Sequence, residues 1–518
     1  MLGRLFQRGA GLVRFLLQQR EQPETFFIST RWFLSALGLI YCVAFGSLWT
    51  QIRGLLGPRG ILPVGDYLAA LSAQVGPSRF WLVPTFSWWE PERGLLQIQC
   101  VAGLGFGLLL SLGVVPRLAA LGVWALYLSL SSVGQEFLSY QWDTLLLETG
   151  FLAVCLAPPV WGSARAKARA PRGPALWLLR LLLFKLMFSS GVVKLLSGDP
   201  SWRHLTALTF HYETQPLPTW IGWYAHQLPA WFQIAAAAVM FVVELAVPWL
   251  IFAPRRLPLL AAGAFASLMV LISLTGNYCF FNLLTVVLCL PLVGDSVWER
   301  LLPPTYRPVP PPPAPEAPWR PVLRGAVVGT LFLLSGLNMV FRWLPAGSLP
   351  TPAVRLLQAV APLRTFNAYG LFASMTRPRD EIVVEGSNNG EDWAPYEFKW
   401  KAGRLDRRPG FVAPYQPRLD WQMWFAALGN VDQHPWFLNL LSRLLQGSPD
   451  VLFLLDKNPF PRAPPRYVRA VLYEYHFTTF AQRRATGNWW RRERIGLYCP
   501  RLSLRPIPPP TPSKQTRT

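Results

Sequence analysis

The chain has 518 residues, 52% of them hydrophobic and only 15% charged, with a mean hydropathy of +0.27. Soluble domains carry about 25% charged residues, and 24 Trp, 15 Tyr and 32 Phe exclude a disordered chain, which leaves a polytopic membrane protein with enough chain for a separate domain. The formal charge of +22 would point a soluble protein towards nucleic acid; on a membrane protein it reads as topogenic charge and attraction to lipid headgroups.

Residues 1–31 place Leu2, Leu5, Phe6, Leu12, Val13, Leu16 and Leu17 on one helical stripe, with Arg4, Arg8 and Arg20 mostly off it. That pattern predicts a basic amphipathic helix, either lying on an anionic membrane surface or packed on a bundle. From 32 to 344 the chain holds nine apolar windows, near the roughly 20 residues a crossing helix needs. They cover about 32–50, 95–115, 118–133, 142–159, 176–196, 231–253, 258–275, 279–293 and 322–344. The third, seventh and eighth are short, which leaves room for one re-entrant segment. Val114-Val115-Pro116-Arg117 breaks the second window from the third as a tight antiparallel hairpin. Gly103 and Gly107 have GxxxG spacing, which serves close helix packing and keeps a homo-oligomer contact open.

Charge sets the orientation. With nine crossings and a cytoplasmic N-terminus, the cytoplasmic connections hold fifteen Lys and Arg, from Arg4 to Arg320. The opposite connections hold five: Arg53, Arg59, Arg79, Arg93 and Arg203. This is the bias of the positive-inside rule. The Pro-rich connection 303–321 is then cytoplasmic, and the region from 345 onward is lumenal or periplasmic. That region holds 24 Lys and Arg against 13 Asp and Glu, on a side of the membrane where no DNA is found. A nucleic-acid function is rejected.

Residues 345–505 read as a soluble α+β domain, and 506–518 as a disordered tail. Glu381–Gly386 is an alternating strand that ends in the turn Asn388-Asn389-Gly390, and Tyr396–Trp400 pairs back as a hairpin. Asp420–Leu428 and Pro435–Leu445 are helical, with Asp420 as an N-cap. Tyr467–Thr478 and Trp489–Tyr498 are further strands. The expected fold is an α-helical polytopic membrane bundle of about nine spans with a C-terminal soluble α+β domain.

No hydrolase, phosphoryl-transfer or dinucleotide motif appears. The informative residues are ionisable groups within the spans, each expensive in lipid unless paired or hydrated. Asp143 and Glu148 lie in the fourth window, Lys185 and Lys194 in the fifth and Glu244 in the sixth. Glu148 and Lys185 form a natural interhelical pair, and the group either holds the bundle together or lines a polar cavity. Next comes Trp202-Arg203-His204, followed by His211-Tyr212-Glu213, with His226 close behind. His211 and Glu213 could be a base and its orienter; a third ligand is missing, so no metal and no cofactor is expected. The six cysteines show no CxxC pattern.

These segments resemble the lipase maturation factor family. The resemblance rests on Gly60–Pro63, Gln141–Leu152, Trp202–Leu205 and Phe210–Pro216. In the C-terminal region it continues through Phe366–Gly370, Tyr396–Phe398, Pro414-Tyr415, Arg418–Trp421, Asn458–Phe460 and Trp489-Trp490. It implies a chaperone-like multi-pass protein of the endoplasmic reticulum membrane, or of the inner membrane with a periplasmic tail in a bacterium. Its clients would be secreted lipases, and its other partners membrane lipids. Thiol exchange is a poor fit, because the C-terminal region has only Cys499. Binding fits better, with Trp421, Trp424, Trp489, Trp490, Arg491 and Arg492 as candidate client anchors, and with at least half of the domain's tryptophans expected in its core instead. The competing reading is a membrane enzyme that acts on a lipid or quinone-like substrate, with intramembrane Lys and Glu beneath the His-rich connection. A transporter would show internal repeats, and none is found.

Overall fold

The computed structural model describes residues 24–90, 94–159, 173–303, 319–341, 343–344 and 350–504. The expected amphipathic helix at 2–17, most of the Pro-rich connection and the 506–518 tail lie outside the described residues. All nine apolar windows are helical. They are α1 (Phe27–Trp49), α2 (Leu95–Leu112), α3 (Pro116–Val133), α4 (Gln141–Leu156), α5 (Gly173–Leu196), α6 (Ala230–Phe252), α7 (Pro258–Thr275), α8 (Phe281–Leu292) and, after the short α9 (Asp295–Leu301), α10 (Trp319–Phe341). Six of these, α1, α2, α3, α5, α6 and α7, are long and apolar enough to cross a membrane. A seventh arises if α8 and α9, bent by 101°, count as one broken span.

The departures from nine full spans have local causes. Helix α4 has 16 residues and carries buried Asp143 and Glu148, so it sits inside the bundle instead of facing lipid. In α10 the apolar stretch is Gly325–Phe341. The hairpin between α2 and α3 forms as the sequence predicts. Gly113 closes α2 at φ 71°, Val115 takes φ 39°, and Pro116 opens α3. Helix α1 has no capping side chain of its own. Instead Asp295 of α9 accepts hydrogen bonds from the Phe27 and Ile28 amides at 2.7 and 2.9 Å, which ties the first helix to the eighth window's end.

Close packing of α1 on α2 depends on missing side chains. A Cβ at Gly103 would fall 2.4 Å from the Phe45 ring. One at Gly107 would meet Cys42 Sγ at 2.8 Å, and one at Gly38 the Gly107 carbonyl at 2.6 Å. A Cβ at Gly105 meets nothing within 4 Å. The GxxxG pair is therefore spent within the chain, on the contact between α1 and α2.

After α11 (Thr351–Val360) comes the C-terminal domain. Its antiparallel sheet has the order β2-β1-β5-β6, with β1 Asp380–Ser387, β2 Ala394–Pro395, β5 Tyr467–Phe477 and β6 Trp490–Leu502. Here β3 (Glu397–Phe398) leaves the expected hairpin after two residues and pairs with β4 (Leu455–Lys457). Helices α12 (Arg418–Ala427) and α13 (Pro435–Leu445) pack on this sheet, and α14 (Phe480–Thr486) joins β5 to β6. Asp420 is not the N-cap of α12; Pro417 is. The Asp420 carboxylate lies in the first turn and accepts the Trp400 and Lys401 amides at 2.8 and 2.9 Å.

The domain docks on one end of the bundle. Its partners there are Ser47 and Gln51 at the end of α1, Tyr140 and Gln141 at the start of α4, Thr214 after α5, and Asn277 after α7. Substitution tests the glycine contact between α1 and α2. Gly107→Val should cost about 1–3 kcal/mol through overpacking, and Gly105→Ala close to nothing, when thermal unfolding is followed in detergent micelles.

Candidate functional site

The deepest contact between domain and bundle is ionic. Arg418, the first residue of α12, inserts its guanidinium beside α4 and meets Asp143 through both oxygens at 2.9 Å. Tyr127 of α3 donates to the same carboxylate at 2.5 Å, and the Phe137 carbonyl accepts from Arg418 at 2.5 Å. Both side chains are 1% exposed or less. The Arg418 amide also donates to Gln51 at 2.9 Å. A bidentate pair of this kind satisfies both charges and fixes their geometry. Asp143 was legible as a candidate from its place in an apolar window. Arg418 was missed as its partner, since it lies 275 residues away in sequence.

The second pair is the one the sequence suggests. Lys185 Nζ lies 2.5 Å from Glu148 Oε1 and donates to Ser335 of α10 at 2.9 Å. The other Glu148 oxygen accepts from the Tyr369 hydroxyl at 2.7 Å, from the Asn367 amide at 3.1 Å and from the Asn367 side chain at 3.2 Å. The segment 366–370 thus dips into the bundle to finish the Glu148 shell. The third pair joins Lys194 to both oxygens of Glu244, at 3.0 and 2.8 Å. Glu244 sits in a π turn, Val242–Ala246, inside α6, where the widened backbone admits the interaction. Asp143, Glu148, Lys185, Lys194 and Glu244 therefore fall, with Arg418, into three separate ion pairs instead of one cluster. Each is closed by hydrogen bonds.

The connection after α5 is split by the fold. Trp202 is buried and donates to the Phe372 carbonyl at 2.9 Å, whereas Arg203 and His204 are exposed. His211 and Glu213 do not pair, because they leave the helix Leu208–Thr214 on different sides. The His211 ring packs edge-on to Phe372, with the Tyr278 hydroxyl 3.2 Å from its Nε2. Burial pushes its pKa down to about 4, with Lys194 adding to the shift. It is therefore neutral at ordinary pH. Burial likewise raises that of Tyr212. Glu213 instead accepts the Phe477 amide at 2.8 Å and lies 3.4 Å from His476 and 3.7 Å from His226. Arg379 reaches across to the carbonyls of Glu213, Gln215 and Pro216. Among the described residues no three His, Cys, Asp or Glu converge as metal ligands.

The tryptophans proposed as client anchors need correction. Trp421, Trp424, Trp489 and Trp490 are between 3% and 7% exposed, too covered to meet another protein. Trp421 packs against Tyr140, Trp142 and Tyr278 of the bundle, and Trp424 donates to the Thr214 carbonyl at 2.9 Å. Trp489 lies beside Trp223 and under Arg483, and Trp490 under Arg379. Trp421, Trp424 and Trp489 are the apolar half of the docking contact, and Trp490 packs within the domain on Tyr475 and Phe477. Only the arginines stay at the surface. Arg491 pairs with Glu493 at 3.3 Å, and Arg492 covers Tyr473 while donating to the Tyr475 hydroxyl at 3.0 Å.

Two regions of the chain match one family in order. Residues 28–300 match the lipase maturation factor transmembrane domain, and residues 365–500 the lipase maturation factor C-terminal domain. The chain belongs to the lipase maturation factor family. It is similar to lipase maturation factor 2 of Homo sapiens, at 38% identity over 91% of this chain and 82% of the relative. Lipase maturation factor 1 of Mus musculus is 35% identical over 96% and 93%, and that of Bos taurus 34% over 93% and 90%. No solved structure matches the chain.

The ion pairs can be tested by a double-mutant cycle. Lys185→Met or Glu148→Leu alone should cost about 3–5 kcal/mol, because each strands a buried charge. The double variant should cost clearly less than their sum in denaturant unfolding.

Proposed function

We propose that this protein is a membrane-bound maturation factor that assists the folding, assembly or export of secreted lipases. In this reading it acts by binding its clients, without thiol exchange. The observation that carries the reading is the match of both regions to a family whose relatives are named for lipase maturation. The C-terminal domain then faces the lumen of the endoplasmic reticulum and the N-terminus the cytoplasm. The charge distribution supports that orientation. With nine crossings, fifteen of the twenty Lys and Arg in the bundle's connections fall on one side. Among the described residues, the domain's hydrogen bonds to Gln51, Tyr140, Thr214 and Asn277 fall on connections that the same alternation puts together on one side.

The cysteines favour binding over redox chemistry. All six are free, and Cys499, the only one in the C-terminal domain, is buried. Burial raises its pKa, which disfavours the reactive thiolate. The intramembrane charges favour a structural part as well. Lys185 and Glu148 are held by one another and by Ser335, Tyr369 and Asn367, and Lys194 is held by Glu244 and the Ser190 carbonyl, whereas a catalytic base must be free to take a proton from substrate.

Deleting the gene and assaying secreted lipase per unit of lipase protein tests the proposal. We expect specific activity or secretion to fall for a few lipases at unchanged transcript. We also expect Cys499→Ser to restore it as well as the wild type. Normal lipases with an altered lipid profile would favour the enzyme reading, and loss of rescue by Cys499→Ser at normal protein level would revive thiol exchange.

A further inference from the structure

Exposed tryptophans mark two levels along the bundle. In α1, Trp32 stands near the start and Trp49 at the end; in α6, Trp231 stands at the start and Trp249 near the end. All four are exposed. Their separations of 17 and 18 residues correspond to about 26–27 Å along a helix. Tryptophan gathers at both membrane–water boundaries, so the two helices report one slab of that thickness. It matches the roughly 27 Å hydrocarbon core of the endoplasmic reticulum better than the 32–33 Å of a plasma membrane.

A segment outside the spans lies at the same level. Between α1 and α2 the chain passes through Arg79–Leu82 and then Phe86–Trp88. The turn at 85–87 is pinned to the bundle. Thr85 Oγ1 lies 2.9 Å from Ser129 Oγ, the Phe86 amide donates to Ser129 at 2.8 Å, and Gln99 donates to Ser87 at 3.3 Å. Ser129 is four residues from the end of α3 and Gln99 four from the start of α2. The turn therefore sits about 6 Å inside the helix ends, on the side where the C-terminal domain docks.

This pinned segment turns its large apolar side chains outward. Phe80 is 55% exposed, Trp81 52% and Trp89 81%. Trp81 also donates to the Ala359 carbonyl of α11 at 3.2 Å, which brings an amphipathic helix with exposed Leu356 to the same level. Arg79 folds back over the Phe80 and Trp88 rings, 4.8 and 5.2 Å from their centres. We propose that Phe80, Trp81 and Trp89, with α11, form an interfacial element embedded in the headgroup region of the leaflet nearest the C-terminal domain. The occupant is a lipid surface because the patch is continuous in level with the Trp49 and Trp231 boundary. An in-plane element of this type buries its apolar face about 5–10 Å into the headgroup boundary, the depth at which this turn lies.

The test uses the full chain in phosphatidylcholine nanodiscs, with the photoreactive amino acid benzoylphenylalanine placed singly at Trp81 or Trp89. Trp231 serves as the lipid-boundary reference, and exposed Phe453 of the C-terminal domain as the water-side reference. We expect adducts one phospholipid heavier at 81 and 89, at yields comparable to position 231, with none at 453. Lipid adducts at 231 without any at 81 or 89 would overturn the proposal while leaving the spans in place. Adducts at 81 or 89 to a client or to a second copy of the chain would overturn it too, by assigning the patch to a protein. All these positions are exposed, so elution as a single monodisperse species confirms folding before each measurement.

Discussion

One buried ion pair, Asp143 with Arg418, decides how the two halves of this protein relate. The carboxylate belongs to a helix inside the bundle and the guanidinium to the first turn of a helix in the C-terminal domain. Neither charge has solvent to fall back on. Separation of the halves would strand both, and a stranded buried charge costs several kcal/mol. Around this point the docking contact divides into a polar part, built on Gln51, Tyr140 and Asn277, and an apolar part, built on Trp421 and Trp424. The domain is thus held as a fixed platform on the bundle.

The remaining buried charges extend the same principle. Glu148 is completed by Asn367 and Tyr369 from the linker into the domain, and Glu213 is completed by Phe477 and His476 from the sheet. Bundle carboxylates are repeatedly satisfied by groups from the C-terminal region. Folding of one half is therefore coupled to docking of the other.

Much of the fold was legible because apolar windows and alternation are local signals. All nine windows are helices, Pro435–Leu445 was placed to the residue, and β5 was misplaced by one residue at its end. What was not legible depended on tertiary partners. The hairpin after β1 ends early because β3 is claimed by β4 from far along the chain, a pairing that no local pattern encodes. Asp420 looks like a cap in sequence but is drawn to the Trp400 and Lys401 amides. The site followed the same rule. Glu148 and Lys185 could be matched because both sit in neighbouring apolar helices. Arg418 could not, since an arginine in polar sequence gives no sign that it will be buried. The aromatic residues were ambiguous for a related reason: a Trp-rich surface, a Trp-rich core and a Trp-rich docking seam have the same composition.

The central claim is that Asp143 and Arg418 lock the C-terminal domain to the bundle. Hydrogen–deuterium exchange on the full chain, comparing wild type with Asp143→Asn, tests it most directly. We predict faster exchange across Arg418–Ala427, 275 residues from the substitution, with the amides of β5 still protected by their own sheet. Unchanged exchange in Arg418–Ala427 would contradict the account and leave the domain anchored by its aromatic seam alone.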